Sequence, residues 1–200
     1  MNALNDVLHG IAIKKNGSPA QIAELVGYSQ AETAKLCALA VQSGRAVEID
    51  GKFTLTPLAR IAIEADYSRI HQDLRRNSDF MAAYEAFERI NVKLKGLITD
   101  WQTMEVGGQR VANDHSNRSY DMEMINRLAE LHEVADRTFG QLVKGVPRLS
   151  YYRDRLLQAL ERAEEGEIEW VSDVRIESYH TLWFELHEDL LRLVGRQRVE

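Results

Sequence analysis

The sequence predicts a mainly α-helical protein, with a helix-turn-helix and a small β-hairpin in its first third and an α-helical bundle beyond. Three observations predict it. Apolar residues recur at three- and four-residue steps over most of the chain. Asp50-Gly51 separates two short runs, "AVEI" and "KFTL", as a tight hairpin turn requires. Ser18-Pro19 and Thr56-Pro57 each pair a helix-capping side chain with the proline favoured in a first helical turn.

Composition sets the outer limits. With 200 residues, 44% hydrophobic and 28% charged, the chain buries a sizeable core and is read as two parts, residues 1–66 and 67–200. The net charge is −6; residues 1–66 carry six Lys/Arg and seven Asp/Glu, leaving 19 and 24 for the remainder. Neither part is basic, so any contact with DNA must be local and needs a dimer. Lone Cys37 lies among Leu36, Leu39 and Ala40 on a predicted helix and reads as core, which suits a reducing compartment. No run reaches the ~20 apolar residues of a membrane span, and Met1 to His9 lacks the basic-then-apolar order of a signal peptide. A cytoplasmic protein without membrane contact is expected.

In the first part, Leu4, Val7, Leu8 and Ile11 mark a helix ending near Asn16-Gly17. Ser18-Pro19 opens "PAQIAELV", which Gly27 closes, and Ser29 caps "QAETAKLCALAVQS", which Gly44 ends. The hairpin follows, and Thr56-Pro57 starts the next helix. This order resembles the winged-helix domain of MarR-like bacterial regulators, over about the first third of the chain. The resemblance implies that Gln30–Ser43 is the recognition helix and the Asp50-Gly51 tip the wing, with Gln30, Thr33, Lys35 and Lys52 touching DNA. Those residues offer few phosphate contacts, so a winged helix kept purely for docking is the competing expectation.

Beyond Pro57 helices dominate. "PLARIAIEADYSRIHQDLRR" reads as one connector helix. After Asn77-Ser78, Phe80, Tyr84, Phe87, Asn91, Leu94, Ile98 and Trp101 fall on one seam at alternating four- and three-residue steps. Asn91 is its polar member and must find a partner, whether a bundle neighbour, its twin across a dimer, or a ligand.

Periodicity then lapses between Trp101 and Ser119, and a loop without secondary structure is expected there. Its stretch "RVANDHSNRSYD" concentrates hydrogen-bonding groups beyond what capping the next helix uses, so Arg110, Asn113, Asp114, His115 and Arg118 are site candidates. The capped helix buries Met124, Leu128, Leu131, Ala135, Phe139 and Leu142. "RLSYYRDRLLQALERAEE" is helical, "EIEWVSDVRIES" irregular, and "YHTLWFELHEDLLRLVG" the last helix. On that helix Tyr179, His180, Trp183, Phe184 and His187 offer flat apolar surface with a few donors, as small-molecule pockets do. His180 and His187 lie two turns apart, about 10 Å along the axis, too far to chelate one ion alone. A metal would need His115, Asp114 or Glu188 brought in, or the His132/Asp136 pair; no H-E-x-x-H or Cys-rich spacing is present, so neither metal nor cofactor is expected.

The segments "TDWQTMEVGGQRVANDHSNRSYD" and "ESYHTLWFELHEDLLRLVGRQR" resemble those of a group of bacterial, chiefly actinobacterial, MarR-like proteins of similar length, over most of residues 80–198. That resemblance implies a regulator or an accessory subunit, and no catalytic residues come with it. The expectation is a ligand-responsive regulator that binds DNA as a homodimer and a small, aromatic or carboxylated effector in its helical part. Arg110 or Arg118 would meet an anionic group, His115, His180 and His187 would hydrogen-bond, and Trp183 would pack on a ring. The alternatives are a substrate-binding or accessory subunit of a phosphoenolpyruvate-synthase-like phosphotransferase system, and a scaffold that binds no DNA. No P-loop or Ser-His-Asp order is present, so catalysis by the chain alone is not expected. All of this requires the His115 turn and the last helix to share a hollow.

Overall fold

A computed structural model describes residues 2–197, and its mainly helical chain carries two small antiparallel hairpins. Among these residues no helix is long and apolar enough to cross a membrane. The chain divides into two units, Met1–Ser78 with Glu185–Glu200, and Asp79–Phe184. The division falls at Ser78 rather than at the expected Asp66, and the end of the chain belongs with its beginning.

In the first unit, α1 (Ala3–Lys14) is capped by Asn2, whose side chain accepts from the Asn5 N–H at 2.9 Å. The next helix, α2 (Pro19–Val26), starts in a reciprocal capping box: Ser18 Oγ accepts from the Gln21 N–H, and Gln21 Oε1 from the Ser18 N–H. Gly27, at φ 76°, closes it in the left-handed conformation that glycine adopts without strain. Ser29 caps α3 (Gln30–Gln42). Strands β1 (Ala46–Ile49) and β2 (Lys52–Leu55) pair with Ala46 opposite Leu55 and Ile49 opposite Lys52. Their turn has positive φ at both Asp50 and Gly51, the geometry that suits a right-twisted two-residue hairpin. Thr56 caps α4 (Pro57–Ile70), where the expected connector helix breaks: α5 (Gln72–Arg76) is a separate short turn after His71.

Val7, Ile11, Ile22, Cys37, Phe53, Leu55, Ile63 and Tyr67 are buried together in this unit. Burial, with Glu48 adding repulsion, pushes the Cys37 thiol up to about 11, so it is core as expected and inert as a nucleophile. A Cβ built on Gly10 would lie 2.9 Å from both Ile22 Cγ2 and Val26 Cγ1, so only glycine lets α1 and α2 approach this closely.

The second unit opens on α6 (Ser78–Gln102), and all seven residues of the predicted seam are buried. The expected structureless loop is instead a hairpin, β3 (Thr103–Val106) and β4 (Gln109–Ala112), with Gly107 and Gly108 at φ 60° and 78° in its turn. Alternation was hidden because every β4 side chain is exposed, so no apolar face marks the strand. Asn117 caps α7 (Arg118–Gly145). Its buried stripe takes in Asp121, Ile125 and His132, while Leu131 is only half-buried. A 3-10 turn (Pro147–Leu149) leads to α8 (Ser150–Glu164), then to the short α9 (Glu169–Ser172) in the stretch expected to be irregular, and to α10 (Tyr179–Val194).

Helix α10 contributes to both units. Its first turns pack in the second; from Glu185 onward it belongs to the first. There Asp189 accepts from His9 Nε2 at 3.0 Å, and His9 Nδ1 meets the Tyr67 hydroxyl at 2.8 Å, all three being fully or nearly fully buried. A carboxylate only accepts, so His9 Nε2 carries a proton. Lys14 pairs with Glu185 at 2.8 Å, and the Arg75 guanidinium donates to the carbonyls of Leu193 and Arg192, groups that a helix end otherwise leaves open.

Candidate functional site

The second hairpin and the start of α7 together fix one imidazole. Asn113 donates from Nδ2 to the Trp101 carbonyl at 3.0 Å and to Asp121 Oδ1 at 2.8 Å, while its Oδ1 accepts from the His115 N–H at 3.0 Å. That last bond closes a tight turn and holds His115 at φ 60°, a left-handed conformation costing a non-glycine residue roughly 1 kcal/mol. The His115 ring lies 4.6 Å from the Trp101 ring, and its Nδ1 is 3.0 Å from Asp121 Oδ1. Asp121 is 4% exposed, a carboxylate drawn into the stripe of α7.

This geometry selects a tautomer. Both Asn113 N–H groups are engaged with oxygens, and Asp121 only accepts, so the His115 Nδ1 must carry the proton that Asp121 receives. Nε2 is then the ring's open atom, a lone pair when neutral and a donor when protonated.

Beside the ring lies a cavity of ≈ 480 Å³, whose walls include His115, Arg118, Met122, Ile125, Glu165 and Ile168. That volume lies within the ~300–1,000 Å³ range of small-molecule sites. Among the described residues neither the Arg118 guanidinium nor the Glu165 carboxylate has a side-chain hydrogen bond or ion pair.

The other expected residues lie elsewhere. Asp114 is exposed and accepts from the Ser116 N–H; hydrogen bonds from Ser116 hold its carboxyl below the usual carboxylate range. Arg110 pairs with Asp100 at 3.3 Å, beside Arg127 on the same carboxylate, and is 62% exposed, so it braces the hairpin weakly.

The expected aromatic pocket on α10 is filled core. The Trp183 ring stacks on Phe87 at 4.9 Å and meets Phe139 edge-on at 5.6 Å, and its Nε1–H donates to Asn91 Oδ1 at 3.0 Å. Tyr179 is fully buried and its hydroxyl bonds His132 Nδ1 at 3.1 Å. Burial pushes the Tyr179 phenol up and the imidazoles of His132 and His180 down. Phe184 is 42% exposed, and His187 is buried in the first unit. No wall residue of the His115 cavity comes from α10, so the loop and the last helix share no hollow there; the cavity is built from the turn after β4, α7 and the turn after α8. Asp136 binds Arg153 through two bonds of 2.6 and 2.8 Å, and no group of three or more His, Cys, Asp or Glu among the described residues could hold a metal ion.

Compared with protein-family models, curated proteins and solved structures, the chain matches none of them.

In the first unit Gln30, Lys35 and Lys52 are exposed, but Thr33 is fully buried, so it cannot touch DNA. Thr33, Cys37 and Ala40 share the inward face of α3 at steps of four and three. Asp121 and Glu165 were missed by sequence reasoning. Asp121 does carry a signal, standing three, four and seven residues before Met124, Ile125 and Leu128, where only an inward-facing position fits. Glu165 carries none, since its place in the cavity depends on the packing of α8 against α7.

Proposed function

We propose that this chain is a ligand-responsive DNA-binding regulator of the winged-helix type, acting as a homodimer, with the cavity at His115 as its effector site. The observation that carries the reading is an uncovered α3 beside a two-residue hairpin: Gln30, Glu32, Lys35 and Gln42 are exposed along the helix, and Lys52 at the turn. Lys15 and Arg45 are also exposed in this unit. These cations are few and stand among Glu32, Glu48 and Asp50, so binding depends on two copies and on low salt. The effector acts only so far as it binds the two DNA-spacing conformations unequally.

Electrophoretic retardation of the gene's own upstream DNA at low salt tests the reading. Retardation at micromolar dimer, weakened by Lys35→Ala and Lys52→Ala, is expected; for every phosphate no longer neutralised, the slope of log affinity against log salt becomes shallower by about 0.9. No retardation defeats it.

A specific observation favours a second reading, a docking module that binds protein. Ile49, at the hairpin, and Leu58 and Ile61, on α4, are 66%, 77% and 65% exposed, large apolar side chains left in water in this unit. Absence of retardation with self-association that Leu58→Glu abolishes supports that reading.

A further inference from the structure

The cavity at His115 presents two opposite charges that do not pair with each other. Arg118 and Glu165 both line it, on α7 and just past α8, and no ion pair joins them. Both side chains are exposed, and among the described residues neither closes on the other or on a neighbour. The imidazole of His115 lines the same cavity; its Nδ1 is held by Asp121 and its Nε2 is open. The remaining wall is Met122, Ile125, Gly166 and Ile168, with the Asp121 carboxylate beside the ring it holds. A simple anion would use the guanidinium and leave a carboxylate facing it; a simple cation would do the reverse. Only a ligand carrying both charges satisfies both groups, and the apolar wall asks for an apolar body.

We propose that this cavity binds a free α-amino acid with an apolar side chain. The Arg118 guanidinium takes its carboxylate through paired N–H···O bonds. The ammonium donates to the Glu165 carboxylate and to the lone pair of His115 Nε2. The side chain lies on Met122, Ile125 and Ile168, at about 25 cal/mol per Å² of apolar area removed from water. Asn113 and Trp101 lie outside the cavity lining and position the ring; Asp121 lines the cavity and holds Nδ1. The inference rests on the reading of this cavity as the effector site and adds the class of effector.

The test is calorimetric titration of the full chain with L-leucine and L-methionine, beside three analogues of leucine: N-acetyl-leucine, whose nitrogen is acylated and uncharged, leucinamide, which lacks the carboxylate, and 4-methylpentanoate, which has no nitrogen at all. Saturable binding of an amino acid is expected, with each analogue weaker by about tenfold or more. Arg118→Gln should erase the preference for leucine over leucinamide, and Glu165→Gln the preference over 4-methylpentanoate. Both positions are exposed, so circular dichroism and melting should stay as in the parent chain. Equal binding of 4-methylpentanoate would show a plain anion site and overturn the proposal, as would no binding of either amino acid at millimolar concentration. An amino acid that binds without changing DNA retardation leaves this inference standing and defeats the regulatory reading. DNA retardation without amino-acid binding does the opposite.

Discussion

The indole Nε1–H of Trp183 donates to the amide oxygen of Asn91 at 3.0 Å, joining the start of α10 to the middle of α6 within the core of the second unit. It answers why a polar residue stands on an otherwise apolar seam: Asn91 is 8% exposed and its partner is a bundle neighbour.

Trp183→Phe keeps most of the ring stack on Phe87 and removes the donor, leaving the Asn91 oxygen buried and unsatisfied. A loss of about 1–3 kcal/mol is expected by urea denaturation. Replacing both residues, Trp183→Phe with Asn91→Leu, should lose less than Trp183→Phe alone, because no orphan acceptor remains. Additive losses would mean the bond matters little.

Gly10→Ala sets two small effects against each other. Alanine favours a helix interior by about 1 kcal/mol, but its Cβ would stand 2.9 Å from two β-branched side chains, and neither Ile22 nor Val26 has free rotamers to yield. Overpacking of this kind costs about 1–3 kcal/mol, so a net drop in melting temperature is expected. A stabilised variant would mean α1 and α2 lie farther apart.

Burial holds the His132 imidazole below its ordinary 6.5, against a raising influence from Asp136. The folded chain therefore stays neutral where the unfolded chain takes a proton. Above about pH 6.5 both states are neutral and the group makes no difference; as pH falls below that value the unfolded state gains protons and stability drops. His180 is shifted in the same direction by burial and adds to the slope. The urea midpoint should fall between about pH 7 and pH 5, and less steeply in His132→Gln, whose amide can still meet Tyr179 without titrating. Asp136, held low by Arg153, contributes stability that is lost only nearer its unfolded value of 3.8, in a separate, more acid window. Equal slopes for His132→Gln and the parent would refute the assignment.

Much of the fold was legible in the sequence where local chemistry decides it. The Ser18, Ser29 and Thr56 caps, the Asp50-Gly51 turn and the seam from Phe80 to Trp101 all declare themselves at short range. The Gly107-Gly108 hairpin carried the same kind of turn signal, but its strands bury too little to show alternation. The break at His71 and the passage of α10 into the first unit rest on contacts such as His9 to Asp189, 180 residues apart, which no local pattern encodes. Of the polar stretch, His115 and Arg118 line one cavity, while Asp114 and Arg110 lie outside it. The error was to pair it with the aromatics of α10: Tyr179 and Trp183 at helical spacing are core, with their polar atoms already used by His132 and Asn91.

Asp121→Asn tests how the ring is held. The amide can offer its oxygen to His115 Nδ1–H only by turning its NH₂ group elsewhere, and the charge that favours Nδ1–H is gone. Ligand binding at the cavity should weaken about tenfold or more, roughly 1.4 kcal/mol, with the melting temperature little changed. Unaltered binding would make Asp121 a bystander.

Recognition at this cavity depends on the tautomer of one ring, and a long-range proton–nitrogen correlation spectrum of nitrogen-labelled protein, with His115 assigned by its loss in His115→Gln, reads it directly. With the ring neutral, the Nδ1–H form is predicted, with the Nε2 resonance moving when L-leucine is added. An Nε2–H form would contradict the proposed site, because Asp121 would then hold no proton of the ring and the open atom would face the wrong way round.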